Sequence, residues 1–277
     1  MKKKTSSTLY LIARWAILVI VLIAIYLPLI MIIAYSFSTA KSVGAEFGEF
    51  SFAPYAKLFR NAELLDALKN TVVIGLVSAL LATVLGTTAA IGIHYMKRKM
   101  KAAVEASSQI TVVNAEIVTA MAFFVLMLFI RDTIKIPVNF GLGWLIIAHT
   151  VITTPYVILT VSPRLKQLNP NLLEASMDLG AGPMRSLITV MLPQLAGAMV
   201  SGFALAFTLS LDDFVVTKIN SIGSGVRTIS TYVYSRIRRG FPIEIRALST
   251  IIFVTVLAVL IIYNVIKIKK AKENAHK

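Results

Sequence analysis

Three carboxylates interrupt stretches of this sequence that are otherwise apolar: Glu116, Asp212 and Asp213. A carboxylate near the centre of a bilayer costs roughly 2.5–3.5 kcal/mol on insertion scales, so such groups face a watery cavity, a cationic partner or a cationic cargo. Neighbouring helical positions point about 100° apart, so at most one of Asp212 and Asp213 faces a conduit squarely. Simpler readings stay open beside these. Glu116 could be a neutral carboxyl bonded to Asn114 or Thr119. The aspartate pair could end its helix at the interface, next to Lys218. Ser210, two residues before the pair, joins the candidates for the same pathway. His149 reads as an intrahelical packing residue and Tyr156 as an ordinary aromatic.

A second cluster is polar and full of helix-breaking residues. Residues 174–193 read EASMDLGAGPMRSLITVMLP. Asn169 is a good N-cap before Pro170, and a helix is predicted from Pro170 to Asp178. Gly180 supplies a left-handed stop. Gly182 and Pro183 start a second helix, whose Leu187, Ile188, Met191 and Leu192 form an apolar stripe up to Pro193. Two short helices around a glycine corner make a knob with a carboxylate and an apolar stripe to present. On spacing alone, the same pattern also fits an interfacial helix-turn-helix lying on lipid.

The elements that hold these clusters are apolar segments of spanning length. Hydrophobic residues make up 57% of the 277 and charged residues 15%, with a mean hydropathy of +0.80. That composition belongs to a polytopic membrane protein. Spanning windows are predicted at residues 15–34, 71–93, 110–130, 142–162, 195–211 and 247–266. The expectation is an all-α integral membrane protein with six transmembrane helices in one domain, residues 1–277. The second of these helices carries small residues on two faces: Gly75, Ala79, Thr83 and Thr87, then Ala82, Gly86 and Ala90. Such faces let helices pack closely in lipid. Residues 54–69 have helical spacing and are predicted to lie along the outer surface. No internal repeat supports an inverted-repeat transporter.

The net charge of +15 does not point to nucleic acid, because of where the cations lie. With cytoplasmic termini, the inside segments hold most of the 28 Lys and Arg, including Lys2–Lys4, Lys97–Lys99, Arg164, Arg185 and Lys267–Lys272. This is the positive-inside pattern of a chain whose partner is membrane lipid. Residues 218–246 are its weakest point, with six cations assigned outside and a basic-aromatic stretch from Tyr232 to Arg239. A cysteine count of zero removes disulfides and thiol-ligated metals, and His94, His149 and His276 form no spaced metal pair. No metal or cofactor is expected. The N-terminus imitates a signal peptide, but its apolar core exceeds the roughly 7–15 residues of a cleaved one.

The spacing Glu174-Ala175, then Gly180, then Val190-x-Leu192-Pro193 resembles the EAA loop, E-A-A-x3-G-x9-I-x-L-P, of bacterial ABC-type importer permeases. Ser176 replaces the second Ala and Val190 the Ile. The run Leu205–Val216, with Leu-Ser-Leu-Asp-Asp at 209–213, is similar to spermidine/putrescine importer permeases of the PotC type. The resemblance covers essentially the whole chain. It implies a MetI-like type I importer permease in a bacterial inner membrane, with a coupling loop over about 164–193 that docks on ABC ATPase subunits through Glu174, Ala175, Asp178, Gly180 and Pro193. It also implies a second homologous permease and an extracytoplasmic binding protein. Family members often have proline before the acid that matches Glu116; here Ala115 stands there, which weakens the case for a helix break at this point. No Walker A pattern is present, so ATP hydrolysis is expected on a partner and no catalysis on this chain. Rival readings are a permease for ferric ion or an organic anion, and a secondary cation/proton transporter with a carboxylate relay.

Overall fold

The computed structural model describes residues 2–40, 45–169, 171–237 and 242–275. Pro170, the predicted helix start, and Arg238 and Arg239 of the predicted basic-aromatic stretch lie outside them. The described chain is helical: α1 Lys2–Tyr35, α2 Ala53–Arg60, α3 Ala62–Tyr95, α4 Arg98–Val113, α5 Glu116–Asp132, α6 Leu142–Gln167, α7 Leu172–Asp178, α8 Pro183–Ser186, a π-helical turn Leu187–Met191, α9 Leu192–Asp212, α10 Val215–Asn220, α11 Ile229–Ile237 and α12 Ile243–Ala275. One isolated antiparallel bridge joins Ser38 and Phe50. The chain forms two compact units, one of Asp66–Tyr232 and one of the segments before and after it.

Among the described residues, four helices are long and apolar enough to cross a membrane: Arg14–Tyr35, α3, α6 and the run Pro183–Asp212. A fifth counts if α4 and α5 are one bent span. α12, with 33 residues, covers the sixth predicted window.

The unbroken third helix is not what forms. α4 and α5 meet at 104°, because Asn114 and Ala115 are both extended, with ψ of 144° and 132°. Part of the backbone freed at the break is bonded locally. The Asn114 N–H closes α4 on the Ile110 carbonyl at 2.9 Å, and the Val118 and Thr119 N–H groups take the Ala115 carbonyl at 3.0 and 3.3 Å. Glu116 opens α5, where its charge meets the positive end of the helix dipole. No proline is needed.

In the Asp66–Tyr232 unit, α6 and α9 pack together over Val157. A Cβ placed on Gly86 would lie 2.7 Å from Val157 Cβ, and one on Gly202 3.2 Å from Val157 Cγ1. Ala79, Ala82 and Ala90 are buried in the same core with Val161, Leu195 and Ala206. The predicted small faces of α3 thus serve close packing. In the other unit, the predicted helix over 54–69 is divided at Asn61, whose side-chain oxygen accepts the Leu64 N–H at 3.1 Å and caps α3. Arg246, counted in sequence as a loop cation, lies in α12 and is fully buried; it donates to the Ala40 carbonyl at 2.8 Å.

Candidate functional site

The α4–α5 break and the end of α9 open onto one cavity of about 200 Å³ within the Asp66–Tyr232 unit. Glu116, Asp212 and Asp213 all line it, with Asn114, Thr119 and Tyr156 among the other walls. The three carboxylates picked from sequence, about a hundred residues apart, are therefore neighbours around one space.

They are not equivalent. Glu116 and Asp212 are exposed and have no side-chain hydrogen bond or ion pair among the described residues. Asp213 is the first residue to leave α9, with φ −61° and ψ 130°, and its side chain is 5% exposed. Its oxygens accept the Val216 N–H at 3.2 Å, the Thr217 N–H at 2.8 Å and the Thr217 hydroxyl at 2.7 Å. Asp213 thus closes the first turn of α10.

Ser210, the fourth pathway candidate, does not line the cavity. It is 5% exposed, with its hydroxyl 2.7 Å from His149 Nδ1 and 3.2 Å from the Ser78 hydroxyl. His149 is fully buried and bonds residues of α9 and α10, so its bonds run between helices, not along its own. Tyr156, read as an ordinary aromatic, sits in the cavity wall. Its hydrophobic neighbourhood gave no signal; only the fold brings it beside two carboxylates. Asn220 was missed as well. Fully buried, it accepts from Trp144 Nε1 at 3.0 Å and donates to the Ala120 carbonyl at 3.0 Å, so it ties α10 to α5 and α6. Among the described residues, no group of three or more His, Asp or Glu is arranged to hold a metal.

The second candidate region folds as a knob. α7 begins at Leu172 with Asn171 as its N-cap, two residues later than predicted, and Asn169 Oδ1 accepts the Asn171 N–H at 3.0 Å. Gly180 has φ +88°. Its N–H bonds the Met177 carbonyl at 2.9 Å, and the Ala181 N–H bonds the Ser176 carbonyl at 3.2 Å. These two bonds make a Schellman stop, which needs the left-handed conformation glycine adopts freely. Gly182 then caps α8, with Pro183 at its first position.

The second helix does not end at Pro193, as predicted; it runs on into α9 through a π turn in which the Leu192 N–H reaches back to Leu187. A proline clashes with the carbonyl four residues before it, and a wider turn relieves that clash. Glu174, Ala175, Asp178, Gly180 and Pro193 are all exposed, as is Leu179 at 90%. Leu173, Leu187 and Met191 face the core instead. Ser176 departs from the loop pattern, and its hydroxyl donates to that of buried Ser186 at 2.9 Å, linking α7 to α8.

Residues 82–268 match the family described as binding-protein-dependent transport system inner membrane component. The chain belongs to this family. It is 33% identical over 242 residues to the putrescine transport system permease protein PotI of Escherichia coli K12, covering 86% of this chain and 85% of that one. To the spermidine/putrescine transport system permease protein PotC of Haemophilus influenzae it is 32% identical over 253 residues, with 91% and 95% covered. Its fold is similar to that of a bacterial ABC transporter involved in the import of the acidic polysaccharide alginate, with TM-score 0.71, 15% identity, and 95% and 96% of the two chains covered. It is also similar to the MetNI methionine ABC transporter, with TM-score 0.56, 18% identity and 79% of this chain covered. The chain is thus a multi-pass inner-membrane permease of MetI-like fold, a transport component of the ABC type and not an enzyme.

Proposed function

We propose that this permease forms half of the translocation path of an ATP-driven importer for spermidine or putrescine. The observation that carries the reading is the cavity where Glu116 and Asp212 stand unpaired beside Tyr156. Two free carboxylates attract a polyamine and repel an anionic solute. Two unit charges about 4 Å apart interact by about 4 kcal/mol at an effective dielectric near 20, before desolvation is subtracted. A tyrosine face adds roughly 0.5–2 kcal/mol for an ammonium group. These attractions offset the loss of water around the polycation without holding it too tightly for release. The names of the related permeases, both polyamine systems, support the same cargo.

In this reading residues 1–277 are one membrane domain of six spans, with α4 and α5 together as the third and α12 as the sixth. Both termini are cytoplasmic. The loop of about 164–193 presents Glu174, Ala175, Asp178, Gly180 and Pro193 to an ABC ATPase, a second permease completes the path, and an extracytoplasmic binding protein delivers the cargo.

The test is initial uptake of labelled spermidine, normalised to membrane-inserted protein. Glu116→Gln and Asp212→Asn each lower it roughly tenfold, equivalent to about 1.4 kcal/mol. Abundance stays normal, since removing a membrane charge relieves an insertion cost. Asp213→Asn lowers abundance before uptake. Wild-type rates in both Glu116→Gln and Asp212→Asn would sink the polyamine path.

A further inference from the structure

One titratable side chain behind the cavity wall has no part in the reading above. His149 is fully buried on α6, with Nδ1 2.7 Å from Ser210 Oγ on α9. Its Nε2 lies 3.0 Å from Thr217 Oγ1 on α10 and 3.4 Å from Asp213 Oδ2. The directions of these bonds can be derived. An ionised carboxylate only accepts, so the Thr217 hydroxyl proton points at Asp213 Oδ2, 2.7 Å away. The Thr217 oxygen is then left to accept, and the proton it accepts is on His149 Nε2. In a neutral ring Nδ1 is then bare and accepts the Ser210 hydroxyl. Asp213 at one end thus sets the tautomer, and the ring bridges α9 and α10 across the residue where the helix breaks.

Asp212 is the last residue of α9 and Asp213 the first beyond it. Whatever fixes the break fixes the direction of Asp212. We propose that His149 is a positioning residue for transport: by clamping Thr217 and Asp213 of the α10 turn to α6, it holds Asp212 as the carboxylate that meets the cargo cation. This rests on the carboxylate-lined path proposed above.

The two arms of the imidazole separate cleanly by substitution. Asn places an oxygen near the Nδ1 position and keeps an acceptor for Ser210, but does not reach Thr217. Gln carries an amide N–H out to the Nε2 position. In the assembled transporter, His149→Asn raises KM for labelled spermidine roughly tenfold, with Vmax per inserted protein within about twofold, the signature of a displaced binding group. His149→Gln returns KM to within roughly threefold of wild type.

A double-mutant cycle with Asp212→Asn decides the mechanism, because residues acting through one another are not additive. Once Asp212 is neutral, His149→Asn has no further effect on KM. If His149→Asn and Asp212→Asn multiply independently, or if Gln rescues no better than Asn, the positioning role is overturned. If Asp212→Asn alone leaves KM unchanged, it is the place of Asp212 in the carboxylate path that fails, a different result from either of these.

Discussion

The cavity wall and the surface knob both interrupt helices, and they do so by opposite means. In the knob the chain turns on backbone chemistry: Gly180 at φ +88° stops α7, and Pro183 opens α8. Its carboxylates, Glu174 and Asp178, are exposed and have no side-chain bond among the described residues. At the cavity the chain turns at Asn114–Ala115 and at Asp213–Phe214, with neither glycine nor proline at the turn. At the second of these a side chain bonds freed backbone groups, since Asp213 takes two N–H groups of α10. In the membrane placement proposed above, the difference follows from the solvent. At a water surface the freed N–H and C=O groups find water, and only conformation has to be arranged. Within a bilayer they have to be bonded internally, so a break there requires buried polar residues around it.

The comparison is tested hardest at Asn220. Asn220→Leu keeps the volume and removes the acceptor for Trp144 Nε1 and the donor to the Ala120 carbonyl. The buried indole N–H left unmet costs about 1–3 kcal/mol, so a loss of about 2 kcal/mol is expected. It reads as a clear drop in the thermal unfolding midpoint of the complex in lipid nanodiscs. An unchanged midpoint would mean that water reaches this break too, and the contrast between the two regions would go.

The same contrast explains what could be read from the sequence. Gly180, Gly182, Pro183 and Pro193 announce the knob, because glycine and proline act through their own backbone and carry their meaning in any context. The apolar windows announce spans by composition, and the small residues of α3 announce close packing. Glu116, Asp212 and Asp213 could be singled out because a charge in an apolar run has few explanations. Their different surroundings could not. Asp213 is held by the Val216 and Thr217 N–H groups, and His149 of α6 bonds residues of α9 and α10. The 104° bend between α4 and α5 was illegible for the same reason. It rests on Asn114 and Ala115 being extended and on Glu116 opening the next helix, and neither residue type is a breaker on its own. The continuation of α8 into α9 was hidden by Pro193, whose usual meaning is a helix start; the π turn absorbs it.

A smaller effect is expected at Gly180. No atom would lie within 4 Å of an added Cβ there, so substitution meets only the left-handed backbone. A β-branched residue in that conformation costs roughly 1–2 kcal/mol. Gly180→Val therefore loosens the corner, and ATPase co-purification falls several-fold while membrane insertion and the unfolding midpoint hold. Gly182→Ala is the control, with φ −68° and equally open space, and co-purifies as wild type. A fall in the midpoint for Gly180→Val would show that the knob is not separable from the membrane core, against the contrast drawn here.

The smallest effect tests a place where the knob, like the cavity, is joined through side chains. Ser176 stands where the loop pattern has alanine, and its bond to the buried Ser186 hydroxyl joins α7 to α8 through side chains. Ser176→Ala restores the pattern yet leaves Ser186 without that partner, which costs about 1 kcal/mol, since a buried group left unmet is worse than no pair at all. Hydrogen exchange of the α7 amides then speeds up by roughly fivefold, the local opening that such a loss permits. Replacing both residues, Ser176→Ala with Ser186→Ala, removes the unmet hydroxyl and brings exchange back toward wild type. If the double variant exchanges faster than the single one, the bond holds α7 in place by more than mutual satisfaction. If Ser176→Ala exchanges as wild type, water satisfies Ser186 and the knob rests on its glycine and prolines alone.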